Sequence, residues 1–240
     1  MKTVFITGAS SGIGASIVEI LCNEGMNVFG FARREEKLEK LKQTIIDKGF
    51  SGSFTFASGD ITSSSDLNLA VEKCIEHYCD LDVVIPNAGL GYFNPLLDGK
   101  MEEWEEMIDV NIKGVLRTIH ATLPHLVKSK GAIINIGSVA ARQVFANSGV
   151  YCMTKHAVLA MSESLRIELG NTVSITTINP GAVNTTFIDK TNNVALRKEY
   201  KSNFESGMSP EFIAEAVLQT IKAEGKGIYS EITLRPDRRK

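Results

Sequence analysis

Tyr151 and Lys155 stand four residues apart, and Ser138 precedes Tyr151 by thirteen. On a helix, the i and i+4 positions share one face, so the phenol and the ammonium would point the same way. A phenol has a reference pKa near 10 and exchanges protons poorly at neutral pH. A neighbouring ammonium is expected to stabilise the phenolate and bring that value down. A serine hydroxyl beside them can hold the same oxygen as the phenol. The three groups together would form a device for moving a proton to or from an oxygen of a substrate. Tyr-x-x-x-Lys alone is commonplace on helices, so its weight comes from what lies elsewhere in the chain.

The second chemical feature is a glycine-rich turn, Thr7-Gly8-Ala9-Ser10-Ser11-Gly12-Ile13-Gly14. It follows an apolar run and opens a helical pattern. Gly8 suits a tight turn, Gly12 lets a backbone come close to a pyrophosphate, and Gly14 permits close packing behind it. Ser10, Ser11 and Ile13 complete the turn, and the helix start offers free N–H groups and a positive dipole to phosphate. The next strand-like run ends at Ala32, where a carboxylate for ribose hydroxyls would commonly sit, and Arg33-Arg34 follow. A guanidinium forms paired charge-assisted hydrogen bonds to a 2′-phosphate that a carboxylate would repel. The expected cofactor is therefore NADP, with Arg33 the stronger candidate and Arg34 the second. A proton-transfer set beside a hydride carrier would interconvert an alcohol with a ketone or aldehyde.

Elements must bring these groups together. Short apolar runs at Val4–Thr7, Asn27–Ala32, Ser53–Ala57, Asp82–Ile85, Ala132–Ile136, Ser174–Ile178 and Gly227–Leu234 read as strands. They are near-continuous in hydrophobicity, as strands covered on both faces are. Helical patterns lie between them at 13–25, 35–48, 63–78, 102–129, 151–169 and 209–223. Serines at 63–65 and Ser209-Pro210 mark helix starts, and Gly25, Gly49 and Gly170 mark left-handed helix ends. The expected fold is a single doubly wound, Rossmann-type α/β domain over 1–240 with a seven-stranded parallel sheet. The least regular stretch, 181–208, reads as a long surface loop, with room for a short helix, that shapes the substrate site.

These residues resemble the short-chain dehydrogenase/reductase family in its compact branch. The resemblance is carried by the glycine turn, Gly59-Asp60-Ile61, Asn87-Ala88-Gly89, Asn111, Ser138, Tyr151 with Lys155, and Asn179-Pro180-Gly181-Ala182-Val183-Asn184-Thr185, in the family's order. It implies that Asp60 accepts from the adenine amino group with Ile61 against the ring. Asn87, Ala88 and Gly89 would close the sheet end near the adenine ribose. Asn111 would distort its helix and hold a water relaying protons to Lys155, and Lys155 would also bind the nicotinamide ribose. Pro180, Gly181 and Val183 would pack near the nicotinamide, with Thr185 on its carboxamide. Two departures stand out: Pro86 precedes Asn87 where the family often has Asn, and no basic residue lies inside the glycine turn. The C-terminal stretch from Pro210 to Pro236 resembles a subgroup acting on small hydroxy acids, β-hydroxy amino acids and assorted carbonyls.

Composition narrows the alternatives. Acidic and basic residues number 28 and 26, so no strongly basic balance points to nucleic acid or an anionic membrane. No apolar run reaches the ~18 residues that a membrane helix needs. Cys22, Cys74, Cys79 and Cys152 show no paired spacing, which fits a reduced cytoplasmic setting. The four histidines share no ligand spacing, so no metal site is expected. Arg142 reads as a loop tether or a substrate-carboxylate partner, Tyr92 and Phe93 as candidates for the substrate mouth, and the basic tail from Arg235 to Lys240 as solvated or at a subunit contact. A nucleotide-sugar epimerase would have a different glycine spacing and a longer chain. An NADP(H)-sensing regulatory protein on the same fold is the non-enzyme alternative, though such proteins commonly lose the Tyr or the Lys. Apolar positions Met107, Val110, Leu116, Ala157, Met161 and Leu165 on the two long helices point to a homotetramer paired through them.

Overall fold

The computed structural model describes residues 1–239, so the part of the tail expectation that concerns Lys240 lies outside the described residues. Seven strands form one parallel sheet: β1 (Thr3–Thr7), β2 (Asn27–Ala32), β3 (Ser53–Ser58), β4 (Val83–Ile85), β5 (Ala132–Ile136), β6 (Ser174–Pro180) and β7 (Glu231–Leu234). Their spatial order is β3-β2-β1-β4-β5-β6-β7. The order reverses direction between β1 and β4, and a doubly wound sheet opens its ligand crevice at that switch, beyond the carboxyl ends of the strands.

The strands bury both faces because helices cover both. Val4 and Ile6 of β1 pack with α1 (Gly12–Asn23), α2 (Glu35–Asp47) and α8 (Pro210–Lys222). Phe5 faces the other way, stacked 5.7 Å from Phe29 and 6.4 Å from Phe31. That side is covered by α3 (Ser64–Tyr78), α4 (Met101–Ile108), α5 (Gly114–Ser129) and α6 (Gly149–Leu169). The start signals act as expected: the Ser63 hydroxyl accepts from Asp66 N at 3.2 Å, and that of Ser209 from Phe212 N at 3.3 Å, with Pro210 in the first turn.

Three expectations need correction. The helix expected over 102–129 is two helices, α4 and α5, joined by a π-helical segment at Asp109–Lys113 that contains Asn111. The stretch 181–208 is largely helical: a 3-10 turn at Thr186–Lys190 is followed by α7 (Val194–Glu205). A parallel bridge between Val183 and Met208 closes its base. Gly25 and Gly49 adopt the left-handed conformation, but Gly170 has φ −59°. There α6 tightens instead of reversing, and a Cβ at Gly170 would sit 2.5 Å from the Arg166 carbonyl oxygen.

Candidate active site

The glycine turn leaves β1 and enters α1 with Gly8 at φ +70° and Gly12 at φ +53°. A Cβ at Gly14 would lie 2.2 Å from the Gly8 carbonyl oxygen, so the turn closes only around hydrogen. Ser11 caps α1 in extended conformation without a side-chain capping bond, so the first-turn N–H groups are left for a ligand. Asn87 locks this turn to the end of β4, its Nδ2 donating to the carbonyls of Thr7 (2.9 Å) and Gly8 (3.3 Å). The Thr7 hydroxyl accepts in return from the backbone N–H groups of Asn87 and Ala88.

The turn forms one wall of a cleft of about 1340 Å³. Arg33 and Arg34 stand at one end, and Ser138, Tyr151 and Lys155 line the other. Arg34 Nη2 donates to the hydroxyls of Ser10 (3.1 Å) and Ser11 (2.6 Å). Arg33 lies 3.8 Å from the Asp60 carboxylate, with both side chains substantially exposed. Asp60 turns its other oxygen back to the N–H and hydroxyl of Thr62, each at 2.8 Å. Gly59 and Ile61, rather than Asp60, therefore form the cleft wall there. Ala88, Gly89, Pro180, Gly181, Val183 and Thr185 line the middle, and Thr185 Cγ2 would touch a Cβ placed at Gly12 at 3.0 Å.

At the far end, Lys155 is buried and donates from Nζ to the Ile136 carbonyl at 3.1 Å. Its Nζ is 6.0 Å from the centre of the Tyr151 ring. Burial lowers the Lys155 ammonium to about 8. Burial also raises the Tyr151 phenol to about 12, opposed by a hydrogen bond from Ser138. This runs against the expectation of a lowered phenol: loss of hydration on burial is the largest cause acting on it. Ser138 is placed by its backbone, whose N–H donates to Asn179 Oδ1 at 3.1 Å. Asn111 does distort its helix, but its amide is committed elsewhere. It donates to the Leu90 carbonyl (2.8 Å) and the Thr154 hydroxyl (3.1 Å) and accepts from Leu90 N (2.9 Å). Its contribution is to fix the strand exit after Gly89 against α6.

Asn179, the first residue of the Asn179–Thr185 motif, braces Ser138. Residues that the sequence pattern did not single out complete the cleft: Phe187, Tyr200 and Phe204 join Phe93 beside Tyr151, and Phe145 lines the cleft as well. Tyr92 is not part of that wall, since its hydroxyl binds Glu106. Arg142 is a tether, donating from Nε and Nη2 to the Glu231 carboxylate at 3.2 and 2.6 Å.

The model of the family described as short chain dehydrogenase matches residues 2–195. The chain belongs to the short-chain dehydrogenase/reductase family. Its relatives bear out an oxidoreductase: an uncharacterised oxidoreductase of Staphylococcus saprophyticus is 38% identical, covering 98% of this chain and 96% of its own. Among solved structures, an alcohol dehydrogenase of Thermococcus sibiricus complexed with 5-hydroxy-NADP superposes with a TM-score of 0.86 at 32% identity, covering 100% of this chain and 98% of that one. The closed form of a serine dehydrogenase complexed with NADP+ gives 0.89 at 30% identity, covering 99% and 96%. This short-chain dehydrogenase has the glycine cradle and the elongated cleft that a dinucleotide requires. Among its described residues, no helix is long and apolar enough to cross a membrane.

Proposed function

We propose that this short-chain dehydrogenase is NADP-dependent and interconverts an alcohol with its ketone or aldehyde, Tyr151 serving as general acid and base. One observation carries the reading: a single cleft joins two arginines and two serine hydroxyls at one end to Ser138, Tyr151 and Lys155 at the other. When bound, the nicotinamide supplies or accepts the hydride. The residues of this chain handle the rest. Arg33 and Arg34, with Ser10 and Ser11, take the 2′-phosphate, which needs cations rather than a carboxylate. The Gly8–Gly14 turn holds the pyrophosphate on the start of α1. Ile61 and the Asn87-Ala88-Gly89 segment form the adenosine side, while Pro180, Gly181, Val183 and Thr185 form the nicotinamide side.

In the reductive direction, a substrate carbonyl oxygen lies between the Ser138 and Tyr151 hydroxyls. Its carbon gains a hydride and its oxygen takes the Tyr151 proton, so the carbonyl becomes an alcohol and the phenol a phenolate. The raised phenol pKa keeps this proton in place until the oxygen becomes basic. Lys155, charged at neutral pH, stabilises the phenolate that forms and binds the nicotinamide ribose. Asn111, its amide bonded to Leu90 and Thr154, holds the strand exit after Gly89 against α6, the helix that carries Lys155. The four cysteines are all unpaired, in keeping with a cytoplasmic enzyme. A homotetramer is its proposed working form. A screen of NADPH oxidation and NADP+ reduction at 340 nm against carbonyls and alcohols tests the reading. Turnover supports it, and none with any substrate under conditions where NADPH binds favours a nucleotide sensor.

A further inference from the structure

The catalytic end of the cleft carries a wall that proton transfer does not require. Phe93, which is buried, lies at the centre of an aromatic cluster. Its ring is 5.7 Å from Tyr151, 6.2 Å from Phe187, 5.8 Å from Tyr200 and 6.5 Å from Phe204. Phe187 also meets Tyr151 edge-on at 5.6 Å and stacks on Phe204 at 6.2 Å. These rings come from separate stretches of chain: one after β4, one in α6, and three in the 181–208 segment. They meet at the residue that would donate the proton.

Two cations near this wall are tied to carboxylates, and Arg235 and Arg238 of the C-terminal tail also line the cleft. Lys190 pairs with Glu106 at 2.9 Å and sits 5.8 Å over the Tyr92 ring. Arg142, the sequence's candidate for a substrate carboxylate, is held by both oxygens of Glu231. Arg235, on the C-terminal tail, contacts Gln143 at 3.3 Å. Asp189 lines the cleft as well and would repel an anion. The Tyr200 hydroxyl is turned away from the rings to Asn147 Nδ2 (3.1 Å) and the Ala146 carbonyl (3.3 Å). The wall beside the Tyr151 ring is aromatic, a surface that favours the face or edge of another ring. A small hydroxy acid would leave this wall uncovered.

We infer that the substrate is a ketone or aldehyde whose carbonyl carries an aromatic or alicyclic ring, with that ring packed on Phe93, Phe187 and Phe204. This rests on the NADP-dependent reaction proposed above. Two diketones of equal chemistry, 1-phenyl-1,2-propanedione and 2,3-butanedione, isolate the contribution of the ring. The expected kcat/KM with NADPH is at least ~10-fold higher for the phenyl compound, the scale of an apolar group finding its pocket. In Phe204→Ala that ratio falls at least ~5-fold. Equal rates, a ratio unmoved by the substitution, or faster oxidation of serine or 3-hydroxypropionate with NADP+ would overturn the inference. Calorimetry with benzyl alcohol and propan-1-ol in the presence of NADPH separates the two readings. Tighter binding of the ring without any turnover keeps the aromatic site and removes the proposed reaction. Equal binding removes the aromatic site whatever turns over.

Discussion

Asn179 and Ser138 are joined by a hydrogen bond of 3.1 Å from the Ser138 backbone N–H to Asn179 Oδ1. The other end of the Asn179 amide donates to Glu231 Oε1 at 2.7 Å, so the serine is braced against β7 through a buried side chain. Gly137 makes room for this brace: a Cβ there would lie 2.2 Å from Asn179 Oδ1. Asn179→Asp keeps the acceptor for Ser138 but sets a carboxylate against Glu231. We predict a fall in kcat of about 10-fold, on the scale of a disturbed charged hydrogen bond, with the KM for NADPH nearly unchanged. Adding Glu231→Gln removes the repulsion and recovers most of the loss. A KM effect alone, or no recovery, would leave Asn179 with only a packing role.

Arg33→Ala and Arg34→Ala should each weaken NADPH binding by about 1.5–3 kcal/mol, the range for a charge-assisted hydrogen bond, and NADH binding should change little in Arg33→Ala. Fluorescence titration of both nucleotides measures this. Because Arg34 already contacts Ser10 and Ser11, the two substitutions differ in a second way. Only Arg34→Ala should also loosen the glycine turn and cost some NADH affinity. If neither changes the NADPH/NADH ratio, other groups read the phosphate.

Lys155 makes stability depend on pH. Burial lowers its folded-state pKa from 10.5 to about 8, so below about pH 8 it is charged in both the folded and unfolded states. The cost of burying the ammonium is fully present there. Between about 8 and 10.5 the folded protein loses the proton first, and this cost is relieved as pH rises. Lys155→Met should therefore be more stable than the parent at pH 7 by about 1–3 kcal/mol, and the gap should narrow by pH 10. Urea unfolding of both proteins at the two pH values checks this. A gap independent of pH would mean that the ammonium is well solvated.

Assembly is open to a direct test. Met107, Val110 and Leu165 prove to be buried within the chain. Leu116 on α5, with Met153 and Ile167 on α6, remains exposed. Those positions suit helix-to-helix contact between copies. Multi-angle light scattering at micromolar concentration should give about four times the 26.2 kDa chain mass. A stable species at the mass of one chain would contradict it.

Much of this was legible in the sequence, for physical reasons. The inner strands were readable because both-face burial leaves continuous runs such as Val28–Ala32, whereas the edge strand β7 is only half-buried and begins at Glu231, later than the run from Gly227 suggested. The motif residues converge because Thr7, Ile85, Ile136 and Pro180 end neighbouring strands at one edge of the sheet. The distortion at Asn111 was legible only through the family resemblance, since Val110, Val115 and Ile119 keep an apolar pattern running through the π segment. Of α7 the sequence showed only room for a short helix within 181–208, because it buries none of its residues and so carries no amphipathic signature. The aromatic wall escaped notice because Phe187, Tyr200 and Phe204 are scattered in a polar stretch and their common partner, Phe93, is far off in sequence. Spacing also could not show that burial is the largest cause acting on the Tyr151 phenol.

The central claim is that Tyr151 passes the proton, and single-turnover reduction by NADPH in Tyr151→Phe tests it most directly. The substitution keeps the ring that packs on Phe93 and Phe187 and removes only the hydroxyl. The rate should fall by at least ~10²-fold, as expected on losing a general acid, while NADPH binds as in the parent. A rate within a few-fold of the parent would contradict the account and move the proton donor elsewhere.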